Sequence, residues 1–208
     1  MAWPGRKKLV QELAMVLVKV KAIQFGTFTL VSGKISSYYV DLRAVPSYPG
    51  AYRSLTEAYN EYIGHEFKGS SYDAIAGIPT AGLTLSSPAA LKLAKPMIYV
   101  RKDTKDHGRG KQVEGATKPG WRVLVLDDVI TTGGSIISAI ESLRAEGCEV
   151  TDSAVVLDRL EGGAAALKKV GVKLHAMTDV LEIVKVLRAE GLLSAEETNA
   201  VTTQVKKR

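Results

Sequence analysis

The chain has 208 residues, 46% of them hydrophobic and 24% charged, with a formal net charge of +6. That length supports one substantial core, and residues 1–208 are read as a single domain. One cysteine, Cys148, excludes an internal disulfide framework and fits a reducing cytoplasm. No apolar run is long enough to span a bilayer. The start, Trp3-Pro4-Gly5 followed by an amphipathic pattern, is unlike a signal peptide. The positive balance admits nucleic acid and suits small polyanionic substrates equally well.

Leu9, Val10, Leu13, Val16, Leu17, Val20 and Ile23 recur at three- and four-residue steps and predict an amphipathic helix. Residues 26–43 carry Gly26, Gly33 and clustered serines and tyrosines, which predict extended, turn-rich chain. Residues 46–67 read as a second helix. Strands are predicted at 72–78 and 96–100, separated by a helix over 83–93. A polar loop fills 101–120. A strand at 122–126 leads into a helix with Ile136, Ile137, Ile140 and Leu143 on one face, which stops at Gly147. A strand over 150–157, a short helix over 161–170, a last strand over 173–177 and two short helices complete the chain. Strands alternating with helices predict an α/β fold with a central parallel sheet and right-handed crossovers.

The most informative stretch lies within that pattern. The apolar run Val123-Leu124-Val125-Leu126 ends in Asp127 and Asp128. Val129, Ile130, Thr131, Thr132, Gly133, Gly134 and Ser135 follow. A strand buried on both faces would place the carboxylates at its carboxyl end, where open α/β sheets bind ligands. The hydroxyl- and glycine-rich turn can aim N–H and O–H donors at an anion on a helix N-terminus. An ordinary capped turn explains one acid or one hydroxyl, but not this whole set. No lysine follows the glycines, so this is not a P-loop. A ligand with both sugar hydroxyls and a phosphate is expected. The segment closely resembles the phosphoribosyl diphosphate (PRPP) motif of type I phosphoribosyltransferases. The resemblance implies that Asp127 and Asp128 hold the ribose hydroxyls and that Thr131 to Ser135 wrap the 5-phosphate.

Four other segments have both a structural and a functional reading. Arg101-Lys102-Asp103-Thr104-Lys105-Asp106-His107-Gly108-Arg109-Gly110-Lys111 is either a solvated surface loop or a mobile lid, part of a loop over about 101–118. It is similar to the catalytic loop of orotate phosphoribosyltransferases. That similarity implies PRPP contacts from Arg101, Lys102, Lys105 and His107. Arg101, Lys105 and His107 would be the catalytic candidates, with the loop lent to the neighbouring subunit of a homodimer.

The segment from Phe25 to Arg43 is either a plain hairpin or, by its Phe-Thr-Leu, Ser-Gly and Ser-Tyr-Tyr-Val-Asp succession, similar to the N-terminal hood of the same family. The hood would span about 20–45, with Tyr39 and Val40 against the base. Some relatives carry a lysine where this chain has Val31. Asp158-Arg159-Leu160-Glu161-Gly162-Gly163 is either a strand end with a surface ion pair or an anion grip, since arginine holds a carboxylate with two parallel bonds. In the family the equivalent arginine binds the ring carboxylate of orotate, which implies Arg159, with Thr131 assisting. Ala76 to Gly82 is a βα turn whose Thr80, Ala81 and Gly82 amides would hold diphosphate by the same resemblance.

The resemblance therefore implies a type I phosphoribosyltransferase fold with a small N-terminal hood. It implies transfer of phosphoribosyl from PRPP to orotate in UMP synthesis. Mg2+ would be held mainly by substrate oxygens and water, with no direct protein ligand. No nucleic-acid or membrane partner is expected. The competing readings are a transferase for another base and a PRPP-sensing regulator that binds nucleic acid.

Overall fold

The computed structural model of the chain describes residues 3, 5–29, 33–101 and 112–207. Helix α1 spans Arg6–Lys19. Strands β1 (Ile23–Thr29) and β2 (Ile35–Val40) pair antiparallel as a hairpin. A 3-10 turn over Leu42–Ser47 leads into α2 (Pro49–Glu66). Then follow β3 (Ala74–Gly77), α3 (Ala81–Lys92), β4 (Met97–Val100), β5 (Val113–Glu114), β6 (Val123–Ile130) and α4 (Gly134–Ala145). The chain continues with β7 (Asp152–Asp158), α5 (Gly163–Lys169), β8 (Lys173–Asp179), α6 (Val180–Ala189) and α7 (Ala195–Lys206).

Six strands form one sheet in the order β5-β4-β3-β6-β7-β8. All neighbours are parallel except β4 with β5. The strand order reverses between β3 and β6. An open sheet forms a crevice at such a reversal, because the crossovers leave on opposite sides.

Alternation within β6 explains why the sheet is covered on both faces. Leu124 and Leu126 join a core with α1, α2, α3, α6 and α7. Val123 and Val125 join a second core with α4 and α5. All four are at most 1% exposed. Each such side chain contributes roughly 1.5–3 kcal/mol on burial, so the apolar run anchors the acids that follow it.

Three sequence expectations are corrected. The periodicity of the first helix runs on to Ile23, but the helix stops at Lys19. Lys21 adopts a positive φ of 56° and Ile23 is instead a buried residue of β1. The pattern persists because both elements bury against one core. The predicted polar loop over 101–120 contains the short antiparallel strand β5, too brief to show a period. The main strand runs to Ile130 rather than Leu126.

That last difference shapes the site. Pairing of β3 with β6 ends at Gly77 opposite Leu126. Pairing of β7 with β6 continues to Ile130 opposite Asp158. Asp127 and Asp128 therefore extend past the end of β3 while β7 still holds them in register.

Candidate active site

The turn after β6 lines a cavity of about 220 Å3 bounded by Asp127, Thr131, Thr132, Gly133, Gly134 and Ser135 among others. Gly133 has φ +85° and caps α4, a conformation that costs glycine little. The first N–H groups of α4 have no partner within the helix and are available to an anion. A larger cleft of about 700 Å3, lined by Lys8, Glu12, Glu57 and Glu61 among others, lies between α1 and α2. It lacks this donor array, and none of its lining residues belongs to β3, β6 or the turns after them.

Asp127 is 7% exposed, and its Oδ1 accepts from the Asp128 amide at 2.9 Å. Burial, with Asp41 of the hood also contributing, raises the Asp128 carboxyl above its ordinary value, against hydrogen bonds from Asp127 and the backbone. Beneath the pair, the fully buried Tyr59 of α2 donates to the Ala154 carbonyl at 2.7 Å and lies 3.3 Å from the Asp127 carbonyl. The Thr80–Gly82 turn abuts the same acids. A Cβ on Gly82 would come within 2.6 Å of Asp127 Oδ1 and 3.1 Å of its Cα, so only glycine lets α3 begin there.

The turn after β7 packs onto the turn after β6. The Arg159 amide donates to the Ile130 carbonyl at 3.0 Å. A Cβ on Gly163 would meet Ile130 Cγ1 at 2.5 Å and the Thr131 carbonyl at 2.9 Å. Arg159 is itself buried, 7% exposed. Its Nε donates to Glu161 Oε1 at 3.1 Å, and its guanidinium lies 4.8 Å from the centre of the Tyr38 ring. The hood thus reaches the arginine through Tyr38, which has no exposed surface. Strand alternation puts Tyr38 and Val40 on one face of β2 and Tyr39 on the other. Tyr39 instead tilts against Phe28, with ring centres 5.8 Å apart.

The phosphoribosyl transferase domain family matches residues 46–186. An orotate phosphoribosyltransferase from Cenarchaeum symbiosum is 44% identical over 84% of this chain and 88% of its own length. The chain belongs to the orotate phosphoribosyltransferase family. The crystal structure of an orotate phosphoribosyltransferase from Aeropyrum pernix has a TM-score of 0.75 at 37% identity, covering 88% of this chain and 99% of that one. Leishmania donovani UMP synthase has a TM-score of 0.85 at 32% identity over 97% of this chain. This chain spans only 43% of that enzyme.

Family membership bears out the fold expected from the sequence: helices flank a mostly parallel sheet, with the hairpin beside it. The residues expected to form an orotate phosphoribosyltransferase site are distributed as follows. Asp127 to Ser135, Thr80 to Gly82 and Arg159 converge at the carboxyl ends of β6, β3 and β7. Tyr39 and Val40 end the hood strand. Arg101 leaves β4 with its Nη1 bonded to Glu114 Oε1 at 3.1 Å, and its amide donates to the Gln112 carbonyl at 2.9 Å. Arg101 is thus held beside the β4–β5 pairing by Gln112 and Glu114. Val31, Lys102, Lys105 and His107 lie outside the described residues.

Sequence reasoning missed Tyr38, Glu161, Tyr59 and Gln204. Gln204 of α7 braces the hood: its Oε1 accepts from the Ser37 amide at 2.7 Å and from Ser37 Oγ at 2.9 Å. Two signals were available. Tyr38 shares strand parity with Val40, and Glu161 stands two residues from Arg159. Nothing local marks Tyr59 or Gln204, whose partners are distant in sequence.

Proposed function

We propose that this chain transfers the 5-phosphoribosyl group from PRPP to orotate, giving orotidine 5-monophosphate and diphosphate in pyrimidine (UMP) biosynthesis. The observation that carries the reading is the pairing of an acid-acid-to-glycine turn at the β3–β6 crevice with a buried arginine on the adjoining strand. Few ligands need a pentose clamp, a phosphate cradle and a carboxylate grip together.

In this reading Asp127 and Asp128 accept hydrogen bonds from the vicinal ribose hydroxyls. The amides and hydroxyls of residues 131–135 hold the 5-phosphate, supported by the α4 N-terminus. Thr80, Ala81 and Gly82 offer main-chain donors to the diphosphate. Arg159 holds the orotate carboxylate, with Thr131 beside it, and Tyr39 and Val40 at the end of β2 lie against the base. Because those two residues face opposite sides of the strand, one of them contacts the base through main chain. Bond breaking runs ahead of attack, through an oxocarbenium-like ribose, as in glycosyl transfer generally. No nucleophilic side chain is required. The chain supplies orientation, exclusion of water and positive charge at the leaving group. Arg101, Lys102, Lys105 and His107 deliver that charge when the loop closes, which frees Arg101 from Glu114.

Among the described residues no three acidic, histidine or cysteine side chains converge to hold a metal by themselves. A magnesium would sit beside Asp127 and Asp128, with its ligands drawn mainly from substrate oxygens and water and none directly from the protein. Bound there, magnesium supplies charge neutralisation at the diphosphate. Among the described residues no helix is long and apolar enough to cross a membrane, and the working place is the cytoplasm. The active unit is a homodimer whose loop completes the partner's site.

The primary test is orotate consumption, followed by absorbance, with PRPP and magnesium present. Turnover that needs all three is expected. Turnover of uracil or a purine instead of orotate would overturn the reading. Lys105→Ala should lose about 10²–10³ in turnover, the magnitude of one charge-stabilising contact, with an unchanged melting temperature. Mixing that variant with an Arg159 variant should restore part of the activity. Absence of restoration after confirmed subunit exchange would place the loop's action within one chain.

A further inference from the structure

Arginine offers a carboxylate two planar edges, a side edge made by Nε and Nη2 and an end edge made by Nη1 and Nη2. Here the side edge is taken. Glu161 Oε1 accepts from Nε at 3.1 Å and lies 3.0 Å from Nη2. Nη2 is buried, and its contact with Glu161 is an ion pair. Nη2 carries two hydrogens, one on each edge, so an ion pair on the side edge leaves the end-edge hydrogen for a further acceptor.

Tyr38 completes the arrangement from the hood. Its hydroxyl points at Glu161 Oε1 at 3.2 Å and at the Arg159 carbonyl at 3.3 Å. One hydrogen is shared between them. Its ring lies against the guanidinium plane. Arg159 and Glu161 side chains are 9% and 10% exposed, so water cannot substitute for these contacts. The three groups come from two separate parts of the chain, the β2 strand and the turn after β7. Fixing one edge of a planar fork and covering one of its faces leaves little freedom to the other edge.

We infer that Glu161 and Tyr38 are positioning residues that fix Arg159 through its side edge and ring face, so that its end edge is held ready for the substrate carboxylate. The inference rests on the reading that Arg159 binds orotate. Glu161 is not an internal competitor for that carboxylate, because it occupies the edge that a second carboxylate does not need.

The test compares three variants by steady-state kinetics with orotate and PRPP varied separately, and each variant is checked for folding by thermal melting. Glu161→Gln keeps the shape but removes the charge, and should raise the KM for orotate about tenfold, as expected for losing one charge-assisted bond. KM for PRPP and kcat should stay within about twofold, since only base binding is weakened. Tyr38→Phe should shift orotate KM in the same direction by less, and it decides the matter if Glu161→Gln does not fold. Arg159→Lys, which cannot make the bidentate contact, separates the two levels of the argument. An unchanged orotate KM in Arg159→Lys would overturn the arginine reading and this inference with it. A raised orotate KM in Arg159→Lys, with normal values in folded Glu161→Gln and Tyr38→Phe, would overturn the inference alone. Equal rises for both substrates in Glu161→Gln would also overturn it, by showing general loosening of the site.

Discussion

The two ends of strand β7 carry one aspartate each, and the two are treated oppositely. Asp152 begins the strand and Asp158 ends it. Burial pushes both carboxyls up. At Asp152, hydrogen bonds from Thr151, His175 and Tyr72 outweigh that push and hold it below the ordinary carboxylate value. At Asp158 the push wins: the bond from the Leu160 amide is outweighed by burial together with repulsion from Asp179 and Glu161. The contrast extends to the neighbourhood. At the amino end of the sheet, His175 Nδ1 lies 2.6 Å from Glu66 and Nε2 lies 2.8 Å from Asp152, so both ring nitrogens have partners. At the carboxyl end, Arg159 is paired with Glu161 along one edge only, and the Asp128 carboxyl is raised mainly by burial. One end is finished by the fold. The other opens onto the cavity lined by residues 127 and 131–135, which in the proposed reading is where substrate binds.

Breaking the carboxyl end should give the largest effect. Arg159→Ala should weaken orotate binding by about 1.5–3 kcal/mol, the range for a charged hydrogen-bonding partner, while PRPP binding changes little. Isothermal titration with each ligand checks this, and an equal loss for both would mean that the arginine is a general scaffold. Breaking the amino end should move stability instead. His175→Ala leaves Glu66 and Asp152 facing each other without the imidazole between them, and should cost about 1–3 kcal/mol of unfolding free energy by urea titration. The partial exposure of both acids keeps the figure from being larger. Activity per folded molecule should be unchanged. Lost turnover at full folding would contradict the division between the two ends.

The smallest effect sharpens the comparison through pH. The Asp128 carboxyl is raised above 3.8 in the folded protein. Its contribution to stability is therefore full below that ordinary value and is lost as pH rises through the folded value. Asp128→Asn, which does not titrate, should melt higher than the parent at neutral pH. The gain should shrink as pH falls toward 3.8, and activity should drop because a ribose-hydroxyl acceptor is weakened. A variant less stable than the parent at neutral pH would show that the ionised carboxylate is held by the fold after all. The depressed Asp152 carboxyl predicts the opposite sign at the other end: its stabilisation is present above 3.8 and fades as pH falls through its lowered value.

Local pattern determined much of this protein. The apolar run Val123 to Leu126 announces a strand buried on both faces, because alternation is absent where both faces are covered. The acids and glycines after it announce a turn that lines a cavity at the start of α4, because the turn chemistry is written in consecutive residues. The position of Arg159 was legible for the same reason, since it follows the strand-ending Asp158. Tertiary structure decided what depends on distant contacts. It stopped α1 before Ile23, because the two elements share one core and the period alone cannot say where the helix ends. It carried β6 through Asp127 and Asp128 because β7 continues to pair after β3 has ended. It chose Tyr38 as the hood residue against Arg159, and Gln204 as the brace on the hood at Ser37. Those choices depend on which chain segments meet in space, and hydrogen bonds between residues more than a hundred positions apart leave no periodic trace in the sequence between them.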